Sequence, residues 1–316
     1  MDTTMDDQMP QQKRKWPYIA FVLLFLWLFA LMLSSFISLF AGIESDSLGG
    51  NVAIIPVKGV ITGDPGSGLF DEGASSEEIV KLIEKADRNP GIRAIIVEIN
   101  SPGGSPVASD EIAQALKKTN KTTVAWIREI GTSGGYWVAS ATDHVVANRM
   151  SVTGSIGVIA SYLDFSGFIG RYNVSYERLV AGKYKDIGTP FKEMTPEERV
   201  LFQNVLDDLR DNFIDEVAAN RGMDRKDVER LATGLFYLGS EAKGLGLVDE
   251  LGGRGEAIAY IEQKEGIKAQ VVKYKPTPSF VDILQGAFSE QSFHVGQGIG
   301  DALVEKGKTS LVQITA

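Results

Sequence analysis

No cysteine occurs among the 316 residues, and histidine occurs only as His144 and His294. The first absence excludes a disulfide framework, thiolate metal sites and cysteine nucleophiles. The second leaves little material for a histidine-ligated metal or a histidine base, so neither a metal nor a cofactor is expected. Positive charge is also scarce: 32 Lys and Arg against 41 Asp and Glu give a formal charge of −9. A chain so balanced has no broad basic surface, and no nucleic-acid partner is expected. Apolar residues, by contrast, make up 44% of the chain, enough for a substantial core.

The apolar residues are concentrated first in "WPYIAFVLLFLWLFALMLSSFISLFAGI", residues 16–43, which carries no charge. That run exceeds the roughly 20 residues a bilayer-crossing helix needs, and it is longer than the apolar region of a cleaved secretory signal. It reads as one N-terminal transmembrane helix in contact with membrane lipid. Lys13, Arg14 and Lys15 precede it, whereas Glu44 and Asp46 follow. Basic residues stay on the cytoplasmic side, so residues 1–15 are expected as a short cytoplasmic tail and the bulk of the chain outside the cytoplasm. Residues 44–50 read as a linker, 51–275 as the main domain, and 276–316 as a weakly patterned C-terminal extension.

Beyond the linker, β-branched runs alternate with amphipathic ones. Asn51–Thr62 reads as a strand pair or one bent strand, and a glycine-rich loop follows over 63–73. Ser75 and Glu78 have capping-box spacing at the head of a helix to Arg88. Arg93–Ile99 reads as a buried strand broken sharply by "NSPGGSP", then come a helix over Val107–Lys118, a strand over Thr122–Ile130 and a helix opening at Ser133. Later, Thr195, Pro196 and Glu198 start a long helix to about Asn220, with Gly222 as its stop. Such alternation implies an α/β fold with a parallel sheet and crossover helices.

In open α/β sheets the chemistry collects at the carboxyl ends of strands. Two glycine turns mark such ends here, "NSPGGSP" and "GTSGG", and they should lie close together. Ser133 stands in the second, lifted from the packing at a helix start where unpaired N–H groups and a positive partial charge gather. The same position suits a serine that merely caps the helix. If it is a nucleophile, Gly134 N–H and either Gly103 or Gly104 N–H would supply an oxyanion hole. A serine nucleophile needs a base within hydrogen-bond reach. His144, in "DHVVAN", reads as a structural residue on a short strand, and His294 lies in the weakly patterned tail. A lysine can serve if burial or a like charge lowers its pKa from about 10.4 to about 7 or 8, a cost of roughly 4 kcal/mol that demands a dry, packed site. Lys185, in "LVAGKYKDIGTPF", follows a strand-like run and has apolar neighbours in Tyr184, Ile187, Pro190 and Phe191; Lys183 shares that setting, and spacing does not separate the two.

Four blocks, "INSPGGS" (99–105), "TSGGYW" (132–137), "TGSIGV" (153–158) and "GKYKDIG" (182–188), together resemble the signal peptide peptidase A (SppA) family of membrane-anchored serine proteases, in their half-length form. The resemblance runs from about Asn51 to Gly253 and implies a ClpP/crotonase-like fold. It implies Ser133 as nucleophile, Lys185 as general base and Ser155 as the residue that orients the lysine amine. It also implies a homo-oligomeric ring in which neighbouring subunits contribute serine and lysine, anchored in the inner membrane with its catalytic domain periplasmic, and residual signal peptides as substrates. Two other classes are consistent with the bare pattern. One is an acyl-CoA-binding enzyme of the crotonase superfold, using the paired N–H groups for a thioester enolate; the other is a noncatalytic membrane-anchored scaffold.

Overall fold

The computed structural model describes residues 16–41, 49–64 and 73–275. The cytoplasmic tail over 1–15, most of the linker, the middle of the glycine-rich loop, His294 and the extension over 276–316 lie outside the described residues. Met1–Gly49 and Gly50–Ala316 form separate compact units. In the first, helix α1 (Trp16–Ala41) spans 26 residues with no charged side chain. Its described side chains are Trp16 and residues 21–34, all exposed. Among the described residues no helix is long and apolar enough to cross a membrane.

The second unit is a mixed α/β structure around a mostly parallel sheet, an arrangement that fits a ClpP-like fold. Its elements in chain order are β1 (Val52–Thr62), β2 (Ala74–Ser75), α2 (Ser76–Arg88), β3 (Ala94–Gly104), α3 (Pro106–Lys118), β4 (Thr122–Thr132), α4 (Gly134–Ser140), β5 (His144–Ala147), β6 (Val152–Gly154), α5 (Ser166–Arg171), α6 (Pro196–Arg221), α7 (Arg225–Leu231), β7 (Phe236–Leu238), α8 (Gly239–Gly244), β8 (Glu250–Leu251), α9 (Arg254–Glu265) and β9 (Val271–Lys273). The strands lie in the order β2-β1-β3-β4-β5-β8, with β9 beside β1, and β6 beside both β4 and β7. All pairings are parallel except β6 with β7.

The central strands read as nearly unbroken apolar runs because both faces of the sheet are covered. Alternate residues Ala53, Ile55 and Val57 of β1, Ile95, Val97 and Ile99 of β3, and Ala125 and Ile127 of β4 join one core cluster with the helices on their side. Val52, Ile54, Ala94, Ile96 and Val124 face the other way, against Ala257 and Ile261 of α9. Farther along that second face, Glu98 replaces an apolar residue. It is buried and bonded to Lys58 at 3.0 Å and Arg128 at 3.1 Å. Burial alone would push its carboxyl up, but the two cations outweigh it and hold the group below the usual carboxylate range.

Local signals account for the helix ends. The Ser75 hydroxyl accepts the Glu78 N–H at the start of α2, and Thr195 and Glu198 form a reciprocal capping box on α6. Gly222 ends α6 at φ 61°, a left-handed position that glycine takes without steric cost. Of the two alternatives for Asn51–Thr62, the single bent strand holds: β1 has a register shift between Lys58 and Val60. One strand reading needs correction. β3 does not break at Ser101; it continues to Gly104, because register shifts against both β1 and β4 accommodate Pro102, which has no N–H to give a ladder.

Candidate active site

Ser133 follows the last residue of β4 and precedes the first of α4. Its backbone has φ 52° and ψ −123°, values typical of the first central residue of a type II′ turn, where glycine is the usual occupant. A non-glycine residue there costs on the order of 1–3 kcal/mol, and surrounding bonds must impose it. They do: the Ser133 N–H donates to Gly154 O at 2.8 Å, and Trp137 N–H donates to Ser133 O at 2.9 Å. α4 is in turn fixed by Tyr136, fully buried, whose hydroxyl donates to Leu247 O. Although Ser133 holds the N-cap position, its side chain makes no capping hydrogen bond. The helix-capping alternative therefore fails, and the hydroxyl remains available for other work.

Ser155 arises the same way one strand over. β4 and β6 pair in parallel with Thr132 opposite Gly154, so the next residue of each strand is a serine leaving the sheet side by side with the other. Neighbouring strands lie about 4.8 Å apart, which makes the two serines close neighbours. Ser155 also has φ 52°, its N–H donates to Leu235 O at 2.8 Å, and its hydroxyl donates to Gly234 O at 3.1 Å. Only three described non-glycine residues have positive φ, and two of them are these serines. Both line one cavity of about 450 Å³, whose walls include Trp137 and Phe213.

The two glycine turns meet at the mouth of this cavity. A Cβ placed on Gly103 would lie 2.7 Å from Gly134 N and 2.9 Å from Thr132 O, and one on Gly134 would lie 2.2 Å from the Ser109 hydroxyl. Only glycine lets the backbones approach so closely. Gly104 and Gly134 line the cavity beside Ser133. The Gly103 N–H donates to Ser101 Oγ at 3.1 Å, which braces the turn from within.

Lys185 does not join this group within one chain. It is exposed, it is not part of the cavity wall, and among the described residues its amine has no hydrogen bond or ion pair. The dry, strand-borne setting expected for it is absent: the residues before it form no strand, and its own backbone is a turn in which Lys185 N–H donates to Gly182 O. Lys183 is different. Its amine bonds both oxygens of Glu197 at 2.8 and 2.7 Å, and the Glu197 hydrogen bond holds its pKa well above the ordinary lysine value. A lysine so paired is a poor base, which separates the two candidates. His144 lies on β5, stacked on Tyr260 with ring centroids 3.8 Å apart and 3.3 Å from Glu250, in a cluster of its own.

Three contributors to the cavity escaped the sequence reading. Trp137 stacks on Phe213, centroids 4.6 Å apart, and Arg210 lines the wall one helical turn before Phe213. Positions 210 and 213, three apart on α6, share a helix face, which is the signal that would have grouped them.

Comparison with known proteins gives the family. The profile of peptidase family S49 matches residues 115–268, a span that includes Ser133, Ser155 and Lys185. A protein of Enterococcus faecium provisionally named signal peptide peptidase SppA is 30% identical over 74% of this chain and 69% of its own. The chloroplastic serine protease SPPA of Arabidopsis thaliana is 31% identical over 74% of this chain and 35% of its own. Protease 4 of Haemophilus influenzae is 29% identical over 70% and 36%.

Proposed function

From the premise that this chain belongs to the SppA family of S49 peptidases, we propose that it is a serine endopeptidase working through a Ser133/Lys185 dyad assembled between subunits. The observation that carries the reading is Ser133 itself, held at φ 52° with an uncapped hydroxyl in a cavity shared with Ser155. The Ser133 hydroxyl attacks the scissile carbonyl and its proton passes to the Lys185 amine. The carbonyl oxygen becomes an oxyanion facing Gly134 N–H and a second N–H from the Gly103–Gly104 turn. Collapse expels the amine half of the peptide, protonated by the lysine, and leaves an acyl-enzyme. Water, deprotonated by the same amine, then releases the acid half and restores the serine.

Lys185 enters from a neighbouring copy. Residues 159–185 carry large apolar side chains with little cover, among them Ile159 at 90% and Leu179 at 96% exposed. A surface of that kind on a soluble unit marks an interaction site. Seating it on the next subunit of a homo-oligomeric ring would bring the amine from water into an apolar cavity beside Ser155, where desolvation favours the neutral form that a base requires. Helix α1, 26 uncharged residues long, is proposed as the membrane anchor, with the catalytic unit on the periplasmic side and residual signal peptides as substrates.

Subunit mixing tests the arrangement. Ser133→Ala and Lys185→Ala rings are each expected to be inactive on a fluorogenic peptide. Rings reassembled from both variants are expected to recover a fraction of wild-type activity, because an intact Ser133 meets an intact Lys185 across some interfaces. Activity in either pure variant would refute the dyad; inactivity of verified mixed rings would refute its division between subunits.

A further inference from the structure

The Ser133 cavity holds one charged side chain among the described residues that line it, that of Arg210, and no acidic one. Its guanidinium is fixed in place and has one long ion pair, with Asp211. Nε donates at 3.1 Å to the carbonyl of Ala232, the residue just past α7, which pins the group at the wall. Of the five N–H donors a guanidinium carries, this is the only one in a hydrogen bond among the described residues. The nearest carboxylate, Asp211, stands 3.7 Å away, beyond hydrogen-bond length. Asp211 is half exposed and also lies 3.5 Å from Arg225. The Trp137 side chain lines the same wall, and its indole N–H is buried without a hydrogen-bond partner among the described residues. Buried donors without acceptors are rare in native structures and ask for an explanation. The remaining wall is largely apolar, with Phe213, Val158 and Pro106 among its residues. In such a pocket a few fixed polar groups set which ligand is accepted.

We propose, resting on the protease reading above, that Arg210 makes this cavity selective for a carboxylate on the substrate, held close to the bond that Ser133 attacks. A planar carboxylate matches the free edge of a guanidinium and forms charge-assisted, bidentate hydrogen bonds with it. Two peptide sources carry that group. One is an aspartate or glutamate side chain near the scissile bond. The other is a free C-terminus, which every peptide released by an earlier proteolytic cut possesses. If the second source is the operative one, the reaction that supplies this enzyme is a proteolytic cut that leaves a free carboxyl end, and the enzyme cleaves the fragment internally, within reach of that end.

The assembled wild-type protein is tested with peptides that differ by one group. In C-terminally amidated peptides, Glu is compared with its neutral isostere Gln at each position flanking the cleaved bond. In a second set, a free C-terminus is compared with its amide. The carboxylate member of at least one set is expected to show a kcat/KM higher by about 10- to 100-fold, the range for hydrogen bonds to charged groups. The set that responds identifies the source. In Arg210→Gln rings the ratio should fall to near one, and in Arg210→Lys rings it should be intermediate, since an ammonium keeps the charge without the fork. Ratios near or below one in the wild type would overturn the proposal, as would a ratio that survives Arg210→Gln. An Arg210→Gln enzyme with unchanged ratios but a pH–rate profile moved upward would assign the guanidinium to lysine deprotonation instead, and the carboxylate role would fall. Failure to cleave any peptide, with Ser133 unmodified by an acylating probe, would sink the protease reading rather than this one.

Discussion

Ser133 leaves β4 with its N–H bonded to Gly154 O and its neighbours Thr132 and Gly134 buried, whereas Lys185 sits in a run over 159–185 that is exposed or half-buried throughout. The first region is built from backbone. Parallel strand register, close glycine contacts and a buried helix leave Ser133 and Ser155 no freedom to take other conformations. The second region is held by ion pairs instead: Arg178 bonds both carboxylate oxygens of Asp186 at 2.6 and 2.9 Å and keeps that carboxyl below its usual range, and Lys192 bonds Glu198 at 2.5 Å. In both pairs the carboxylate is largely covered while its cation reaches solvent. The serine half of the proposed site is thus finished within one chain, and the proposal assigns completion of the lysine half to a partner. Changes to the first should cost folding free energy, and changes to the second should cost assembly and turnover.

The sharpest way to break the serine half is Gly103→Ala. The new methyl would meet Gly134 N at 2.7 Å, and φ 100° is a conformation alanine rarely adopts. Overpacking and backbone strain together predict a loss of about 3 kcal/mol in denaturant unfolding, with hydrolysis abolished in the protein that still folds. A cost below about 1 kcal/mol would show that the two turns are not locked together.

Next in size is Glu98→Gln, about 2 kcal/mol, because Lys58 and Arg128 lose a charged acceptor at a buried position. The sign with pH follows from the direction of the shift. The Glu98 carboxyl is depressed in the folded chain, so its contribution is complete above the ordinary glutamate value and is lost as pH falls through the lower folded value. Wild-type unfolding free energy should therefore decline below about pH 4, and the Gln variant should show a shallower decline. Equal slopes would remove Glu98 from the account.

Thr195→Ala removes the capping box that starts α6, the helix carrying Arg210 and Phe213. About 1 kcal/mol is expected. This cap was fully legible in the sequence, as were the alternation of strands and helices and the meeting of two glycine turns at the carboxyl ends of β3 and β4. Each is a local pattern, or follows from the geometry of parallel sheets. The continuation of β3 through Pro102 was not legible, because a proline inside a strand is tolerated only where register shifts on both sides absorb it. Nor was Arg210, whose meaning depends on which residues of β4, β6 and α4 the fold places opposite it. The setting of Lys185 was misread for a deeper reason. Its apolar neighbours suggested a dry pocket, yet within one chain Tyr184 and Phe191 are themselves exposed, and apolar composition alone does not say whose core a segment will join.

The smallest effect on folding, and the most direct probe of the lysine half, is expected from Leu179→Asp. Leu179 is 96% exposed, so the single chain loses no burial and its unfolding free energy should change by no more than about 0.5 kcal/mol. In an assembled ring the same side chain would be covered, and a carboxylate there would have to be desolvated without a partner, a cost no weakly bound interface tolerates. Sedimentation should then show smaller species, and peptide hydrolysis should fall in step with the loss of assembly. Full assembly and full activity of the Leu179→Asp protein would mean that this apolar run covers nothing, and the lysine would have to reach Ser133 by another route.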